Sequence, residues 1–313
     1  MAGIRGILWL IALCVAATSG SVQGQAYPTR PVRLVVGFTP GGGVDINARL
    51  LASKLSELLG QPVIVDNRPG AGTNIANEYV AKAPPDGYTL LVSSPAIAIN
   101  MALYKNLPYD TLRDFVAVSI FSESPNILVV NSSSPAKSMS ELIALARAKP
   151  GVLNYSSAGT GTTQHLAGEL LKLRTGTNIV HVPYKGSAPS LAALIAGDVD
   201  LSFANVPAIL QHVKSGRLRP LASTGTRRSE LMPDVPTMQE VGLTGVEMTV
   251  WYGVVAPAAT PRDIVNKLSE AINKAARSPD IKQRLLDQGA EPLGNAPAEF
   301  DRIVREEVAK WAR

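Results

Sequence analysis

The stretch Arg33–Arg49, RLVVGFTPGGGVDINAR, constrains the fold more than any other. An apolar strand, Leu34–Val36, breaks at Thr39-Pro40 into three glycines, Gly41–Gly43. A helical pattern follows at once, with Val44, Ala48, Leu51, Leu55 and Leu58 on one face at 3.6-residue spacing. The glycines let the backbone turn sharply and let a ligand approach with no Cβ in the way. The first N–H groups of a helix lack intrahelical partners, and the helix dipole makes that end partly positive. Such a loop suits a carboxylate or phosphate, although a plain βα turn has the same composition. The chain repeats the device. Leu153–Tyr155 reads as a strand, Ser156–Thr163 (SSAGTGTT) as its glycine loop, and a helix follows to about Arg174 with Leu166, Leu170 and Leu173 in register.

The rest of the chain extends this alternation. Strands are expected at Val32–Val36, Pro62–Val65, Tyr88–Val92, Ile179–Val182, Leu201–Ala204 and Arg219–Ser223. Helices are expected at Val44–Leu59, Asn74–Lys82, Met139–Lys149, Ser187–Ala196, Pro207–Lys214, Ile281–Gln288 and Pro297–Trp311. Gly60 is placed to end the first helix, and Ser138 with Glu141 reads as a capping box. Thr260-Pro261 reads as a cap with proline at the first helical position, before a stripe of Ile264, Leu268, Ile272 and Ala275. Strand–loop–helix alternation gives an α/β fold of mostly parallel sheets flanked by helices, with ligands at the carboxyl ends of the strands. Phe115–Val130, interrupted at Glu123–Asn126, and Met248–Val255 read as two crossings between lobes. The expected division is lobe 1 over 27–122 and 253–313, lobe 2 over 123–252, with the ligand cleft between them.

The chain has 313 residues with 46% hydrophobic content, enough for two packed cores. Aromatic content of 5% and a scattered net charge of +5 argue against a nucleic-acid surface. At the N-terminus, Arg5, the short apolar run Ile7–Val15 and the small residues to Gly24 read as a secretory signal over 1–26, cleaved after Gly24 or Ala26. That predicts a protein working outside the cytoplasm. Cys14, the sole cysteine, lies in this segment, and Leu13 before it is too large for lipoprotein processing.

Chemistry for catalysis is missing. His165, His181 and His212 are not at metal-ligand spacing, and there is no G-x-S-x-G elbow or Walker A motif. Gly159-Thr-Gly161 starts like a dinucleotide fingerprint, but Gln164 stands where the third glycine belongs. No cofactor and no metal is expected. Asp45 in the first turn either contacts a ligand or serves as an N-terminal acid.

The motifs resemble a known family. Phe38–Arg49, Asp66–Ile75, Tyr155–Glu169, Val182–Gly186 and Trp251–Pro257 are similar, in order, to segments of the Bug receptors, extracytoplasmic solute receptors of tripartite tricarboxylate transporters. The resemblance implies a two-lobe type II periplasmic binding protein that holds a ligand carboxylate between the loops after the first strand of each lobe, largely through backbone groups and two bridging waters. Carried over residue by residue, it implicates Phe38, Thr39, Gly42, Gly43 and Asp45 in lobe 1, and Ser157, Ala158, Gly159, Thr162 and Thr163 in lobe 2. Ser93, Tyr184 and Asn205 are further cleft candidates. Thr39 replaces the family's usual apolar residue, and Thr162-Thr163 replace more varied ones, which leaves the carboxylate unspecified. A non-catalytic monomer is expected, passing its ligand to a membrane permease, or as a sensor to a signalling protein; a secreted hydrolase is the weaker reading. Gly159→Val is expected to block ligand approach and leave the fold intact.

Overall fold

A computed structural model describes residues 27–312. The signal segment expected over 1–26, with Cys14, lies outside the described residues. Strand β1 (Val32–Val36) is buried except at Arg33, the pattern of a central parallel strand covered on both faces. It pairs in parallel with β2 (Val63–Asn67) and β3 (Thr89–Ser93), Leu34 lying opposite both Val65 and Leu90. Helix α1 (Gly43–Leu59) packs back on this sheet and stops at Gly60, which adopts a left-handed φ of 68° and donates its N–H to Ser56 O. Helices α2 (Asn74–Ala81), α3 (Ala96–Leu103) and α4 (Thr111–Asp114) complete the first passage through this lobe.

The second lobe repeats the scheme. Helix α5 (Met139–Ala148), β5 (Asn154–Ser157), α6 (Thr163–Thr175), β6 (Val180–Pro183), α7 (Ser187–Ala196), β7 (Leu201–Asn205), α8 (Val206–Lys214) and β8 (Leu218–Ser223) follow in order. Strand β5 pairs in parallel with β6 and β7. The chain returns through β9 (Thr249–Pro257) and closes the first lobe with α9 (Arg262–Arg277), α10 (Pro279–Asp287), the short β10 (Glu291–Pro292) and α11 (Pro297–Trp311).

The two sheets are joined by β4 (Phe115–Asn131), which runs antiparallel to β9 and then to β7, giving the order β2-β1-β3-β9-β4-β7-β5-β6. The expected interruption at Glu123–Asn126 is absent. Pro125 is the last β4 residue paired to β9 and Asn126 the first paired to β7, so the proline falls at the handover between partners. Four apolar cores follow. Two cover the faces of the first sheet, with Leu34, Leu51 and Leu268 on one side and Val35, Ile97 and Phe300 on the other. Two cover the second, around Tyr155 and Phe203, and around Ile127 and Leu194. This is a two-lobe α/β architecture, but its sheets are mixed rather than mostly parallel: β1–β2, β1–β3, β5–β6 and β5–β7 pair in parallel, while every pairing of β4 and β9 is antiparallel.

Several local expectations need correction. Leu173 is 74% exposed, and α6 buries Ala167, Gly168, Leu171 and Thr175 instead; Leu166 and Leu170 are half-buried beside them. Pro261 occupies the N-cap position of α9 rather than its first helical position, and the Thr260 hydroxyl donates to Pro257 O instead of capping the helix. Ser138 Oγ accepts from Glu141 N as a cap should, but the Glu141 carboxylate accepts from Lys137 N, one residue earlier than a capping box requires. Helix α3 was invisible to periodicity because AIAINMAL is apolar around most of its circumference.

Candidate functional site

The loops at the carboxyl ends of the strands meet between the lobes. There, a small cavity of ≈ 20 Å³ is enclosed by Phe38, Gly42–Val44, Ser94, Ala158, Thr162–Gln164, Ser187, Asn205 and Val250. That space holds about one water. Its walls bring together five helix beginnings: α1 at Gly42–Val44, α3 just after Ser94, α6 at Thr162–Gln164, α7 at Ser187, and α8 after Asn205. Only α6 has a side-chain cap, Thr162 Oγ1 accepting from His165 N; α1, α3, α7 and α8 have none. Uncapped first-turn N–H groups need an acceptor from elsewhere, and their dipoles favour an anion.

Buried amides hold this geometry. Gln164 Oε1 accepts from Ala158 N at 2.7 Å, while Nε2 donates to Ser187 Oγ at 3.1 Å and Asn205 Oδ1 at 3.2 Å. Asn205 Nδ2 donates to Asn126 Oδ1, and Asn126 Nδ2 to Thr163 Oγ1, so the site is tied to the handover point of β4. In lobe 1, Asn47 Nδ2 donates to Gly43 O, and its Oδ1 accepts from Ser122 Oγ. Gly43 is required by space: a Cβ there would lie 2.9 Å from both Asn205 Oδ1 and Tyr252 Oη.

The sequence-derived candidates divide into two groups. Phe38, Gly42, Gly43, Ala158, Thr162, Thr163 and Asn205 line the cavity. Thr39, Asp45, Ser93, Ser157, Gly159 and Tyr184 do not. Asp45, 2% exposed, accepts from Gly41 N and Arg49 Nε through Oδ2 and from Asn67 Nδ2 through Oδ1. Burial pushes its pKa up, but these donors outweigh that and hold it below the usual carboxylate value. Asp45 is thus a loop clamp rather than a free ligand for an ammonium. Thr39 N donates across the lobes to Lys185 O at 3.3 Å. Ser93 turns its hydroxyl to Ser94 O, and the neighbouring Ser94 takes the place at the wall. Tyr184 packs its ring against the lobe 2 core around Ile127 and Leu194.

Ser157 is fixed behind the loop. Its Oγ accepts from Gly159 N and shares a 2.7 Å hydrogen bond with His181 Nε2. His181 stacks on Tyr155 and on His165. Burial, then the neighbouring His165, push the His181 pKa down from 6.5 to about 4, so it is a neutral buttress at pH 7. Gly159 has a φ of +137°, and a Cβ there would lie 3.1 Å from Tyr184 O. The expectation that Gly159→Val spares the fold is therefore withdrawn. Sequence reasoning pointed to the end of β3, where Ser94 lies, but missed Gln164, Ser187, Val44 and Val250. The signal for Ser187 was legible, as it opens the helix after the Val182–Gly186 motif.

Among the described residues, no group of three His, Cys, Asp or Glu side chains is placed to hold a metal ion, and no helix is long and apolar enough to cross a membrane.

Residues 47–313 match the sequence profile described as the tripartite tricarboxylate transporter family receptor. An R. palustris protein solved with adipate is similar over 91% of this chain and 96% of its own, at 42% identity and a TM-score of 0.88. MatC from Rhodopseudomonas palustris, with bound malate, is similar over 91% and 99%, at 33% identity and a TM-score of 0.88. The periplasmic binding protein BugD is similar over 91% and 96%, at 34% identity and a TM-score of 0.89.

Proposed function

The chain belongs to the tripartite tricarboxylate transporter receptor family, a family of binding proteins rather than enzymes, and from that premise we propose that it captures a small carboxylate in the periplasm and passes it to a membrane permease of that transporter type. The observation that carries the reading is the convergence of five helix N-termini, four without a side-chain cap, on one interlobe cavity. Neighbours solved with adipate and malate support a carboxylate as the ligand class. The residues proposed to receive it are Gly42, Gly43, Ala158, Thr162, Thr163 and Asn205, with Phe38 as the apolar wall, joined by Ser94, Gln164 and Ser187.

Magnitudes favour backbone recognition coupled to lobe closure. A single helix N-terminus contributes at most about 2 kcal/mol to a partly buried anion. A micromolar complex needs about 8 kcal/mol. Hydrogen bonds to a charged acceptor, at about 1.5–3 kcal/mol each once desolvated, close that gap. Desolvation requires the lobes to close on the ligand, and the one-water cavity requires them to open for it. We place the lobe boundaries at 122/123 in β4, the strand that pairs with both sheets, and at 252/253 in β9, the strand by which the chain returns to the first sheet. The cleft is built from one chain, so a monomer suffices.

The test is a thermal-shift and calorimetry panel of small carboxylates on the mature protein. Stabilisation of several degrees by a carboxylate, with none by the matching amide, is the expected result. Equal effects of acid and amide would overturn the anion reading.

A further inference from the structure

The ≈ 20 Å³ cavity has room for about one water, so the body of any ligand whose carboxylate is received there must lie elsewhere. A second interlobe cavity of ≈ 210 Å³ adjoins it. The two share Thr163; Ser94 and Val250 line the first, and their chain neighbours Pro95, Thr249 and Trp251 line the second. Pro95, Met248, Trp251 and Trp311 give the second cavity apolar walls. Its charged members are Glu247 and Glu307 against Lys310, two carboxylates to one ammonium, and Lys310 Nζ already lies 3.8 Å from Glu307. Glu307 also accepts from Trp311 Nε1, which holds the indole in place over the C-terminal turn of α11.

Resting on the carboxylate reading above, we propose that this cavity receives the distal part of the ligand and selects extended monocarboxylates with an apolar, aliphatic or aryl body over dicarboxylates of the same length. A second carboxylate would enter a wall whose own charge is negative, and an uncharged chain buries against Pro95, Met248 and the Trp311 indole without that cost, Trp251 being packed edge-on against Phe300 behind them. Trp311, Glu247 and Glu307 are then specificity-determining residues, one step removed from the anchoring amides.

The test compares acetate, hexanoate, phenylacetate and adipate by calorimetry on the mature wild-type protein, and then on Glu247→Gln/Glu307→Gln and Trp311→Ala. Hexanoate is expected to bind at least about tenfold more tightly than acetate and than adipate, since several methylenes are buried. The Glu→Gln pair keeps the hydrogen-bonding shape and is expected to raise adipate affinity severalfold while leaving hexanoate unchanged; Trp311→Ala is expected to flatten the dependence on chain length. Adipate binding as tightly as hexanoate to the wild type, or a gap that the Glu→Gln pair does not narrow, overturns the inference while leaving the carboxylate reading standing. Failure of every acid, acetate included, to bind a folded protein overturns both. The wild-type series decides the matter even if a variant fails to fold.

Discussion

Gln164→Glu separates electrostatics from shape at the centre of the cleft. The two side chains are isosteric, and the carboxylate keeps the 2.7 Å contact to Ala158 N while exchanging a donor for a second oxygen facing Asn205 Oδ1 and Ser187 Oγ. The Ser187 hydroxyl can turn to donate, so one contact is lost and a negative charge is gained beside the helix N-termini. The lost amide contact costs about 1 kcal/mol, and the dipole returns about 0.3–1 kcal/mol. Burial of the new carboxylate, at a site 3% exposed, adds a desolvation cost that the dipole does not offset, so stability should fall by more than about 1 kcal/mol. Ligand binding should fall further. At a separation of about 5 Å and an effective dielectric constant of about 20, two unit charges repel by about 3 kcal/mol, roughly two orders of magnitude in Kd. Because the pair is buried, raising the salt concentration should recover little of it. Calorimetry with the best carboxylate of the panel gives the affinity, and denaturant unfolding gives the stability. Gln164→Met is the control: it removes the hydrogen bonds without adding charge, so it should lose more stability than affinity. A Gln164→Glu protein that binds within threefold of wild type would refute the placement of an anion in this cavity.

Other predictions address the supports of the site. Asp45→Asn should cost about 1–3 kcal/mol, since it leaves Arg49 and the Gly41 and Asn67 donors facing a neutral amide. The wild-type pKa of Asp45 is depressed below 3.8, so its contribution is present above about pH 4 and is lost as the pH falls through the folded-state value; unfolding curves for Asp45→Asn should lack that part of the acid sensitivity. His181 has the opposite chemistry and the same direction: with its folded pKa near 4 and its ordinary value of 6.5, the unfolded chain takes up the proton first, so stability falls as the pH drops from 6.5 to 4. His181→Gln should remove up to about 3 kcal/mol of that fall, and an unchanged pH profile would contradict the buried-neutral assignment. Gly186→Ala should hold the lobes apart, because Gly186 has an extended φ that alanine tolerates while its Cβ would lie 2.2 Å from Thr39 Oγ1 across the cleft. Small-angle scattering should then show no contraction when ligand is added, and contraction equal to wild type would remove that contact from closure.

How far the site was readable depended on whether a residue acts through backbone pattern or through three-dimensional neighbours. The β1–glycine loop–α1 unit announces itself, because strand, glycines and helix stripe are contiguous, and the boundaries of α7 and α11 fall where sequence places them. Seven of the cavity residues came from the two glycine loops and the end of β7. Gln164 escaped because its meaning lies in the partners it reaches, Ala158 N, Ser187 Oγ and Asn205 Oδ1, of which the last two come from other elements. Asp45 looked like a ligand contact because an acid in the first turn of a helix has two uses, and only the positions of Arg49 and Asn67 decide between them. Leu173 misled for a different reason: its spacing from Leu166 and Leu170 is helical, yet Leu171 and Ala167 are the residues turned to the sheet, and the chain tolerates one exposed leucine without penalty.

The path of the chain through the first lobe sets a schedule for its own assembly. Residues 27–121 supply both faces of that sheet, but Leu268 and Ile272 complete one face and Phe300 and Val304 the other, all from helices that follow the whole of the second lobe. A nascent chain therefore carries bare aliphatic surface on β1 and β3 until almost its last residue has been made, whereas the second lobe, contiguous in sequence, has its cores in hand about fifty residues sooner. Pairings of such long sequence separation form slowly. The order of synthesis thus favours a late, single completion step, in which the C-terminal helix seals the lobe that was begun first.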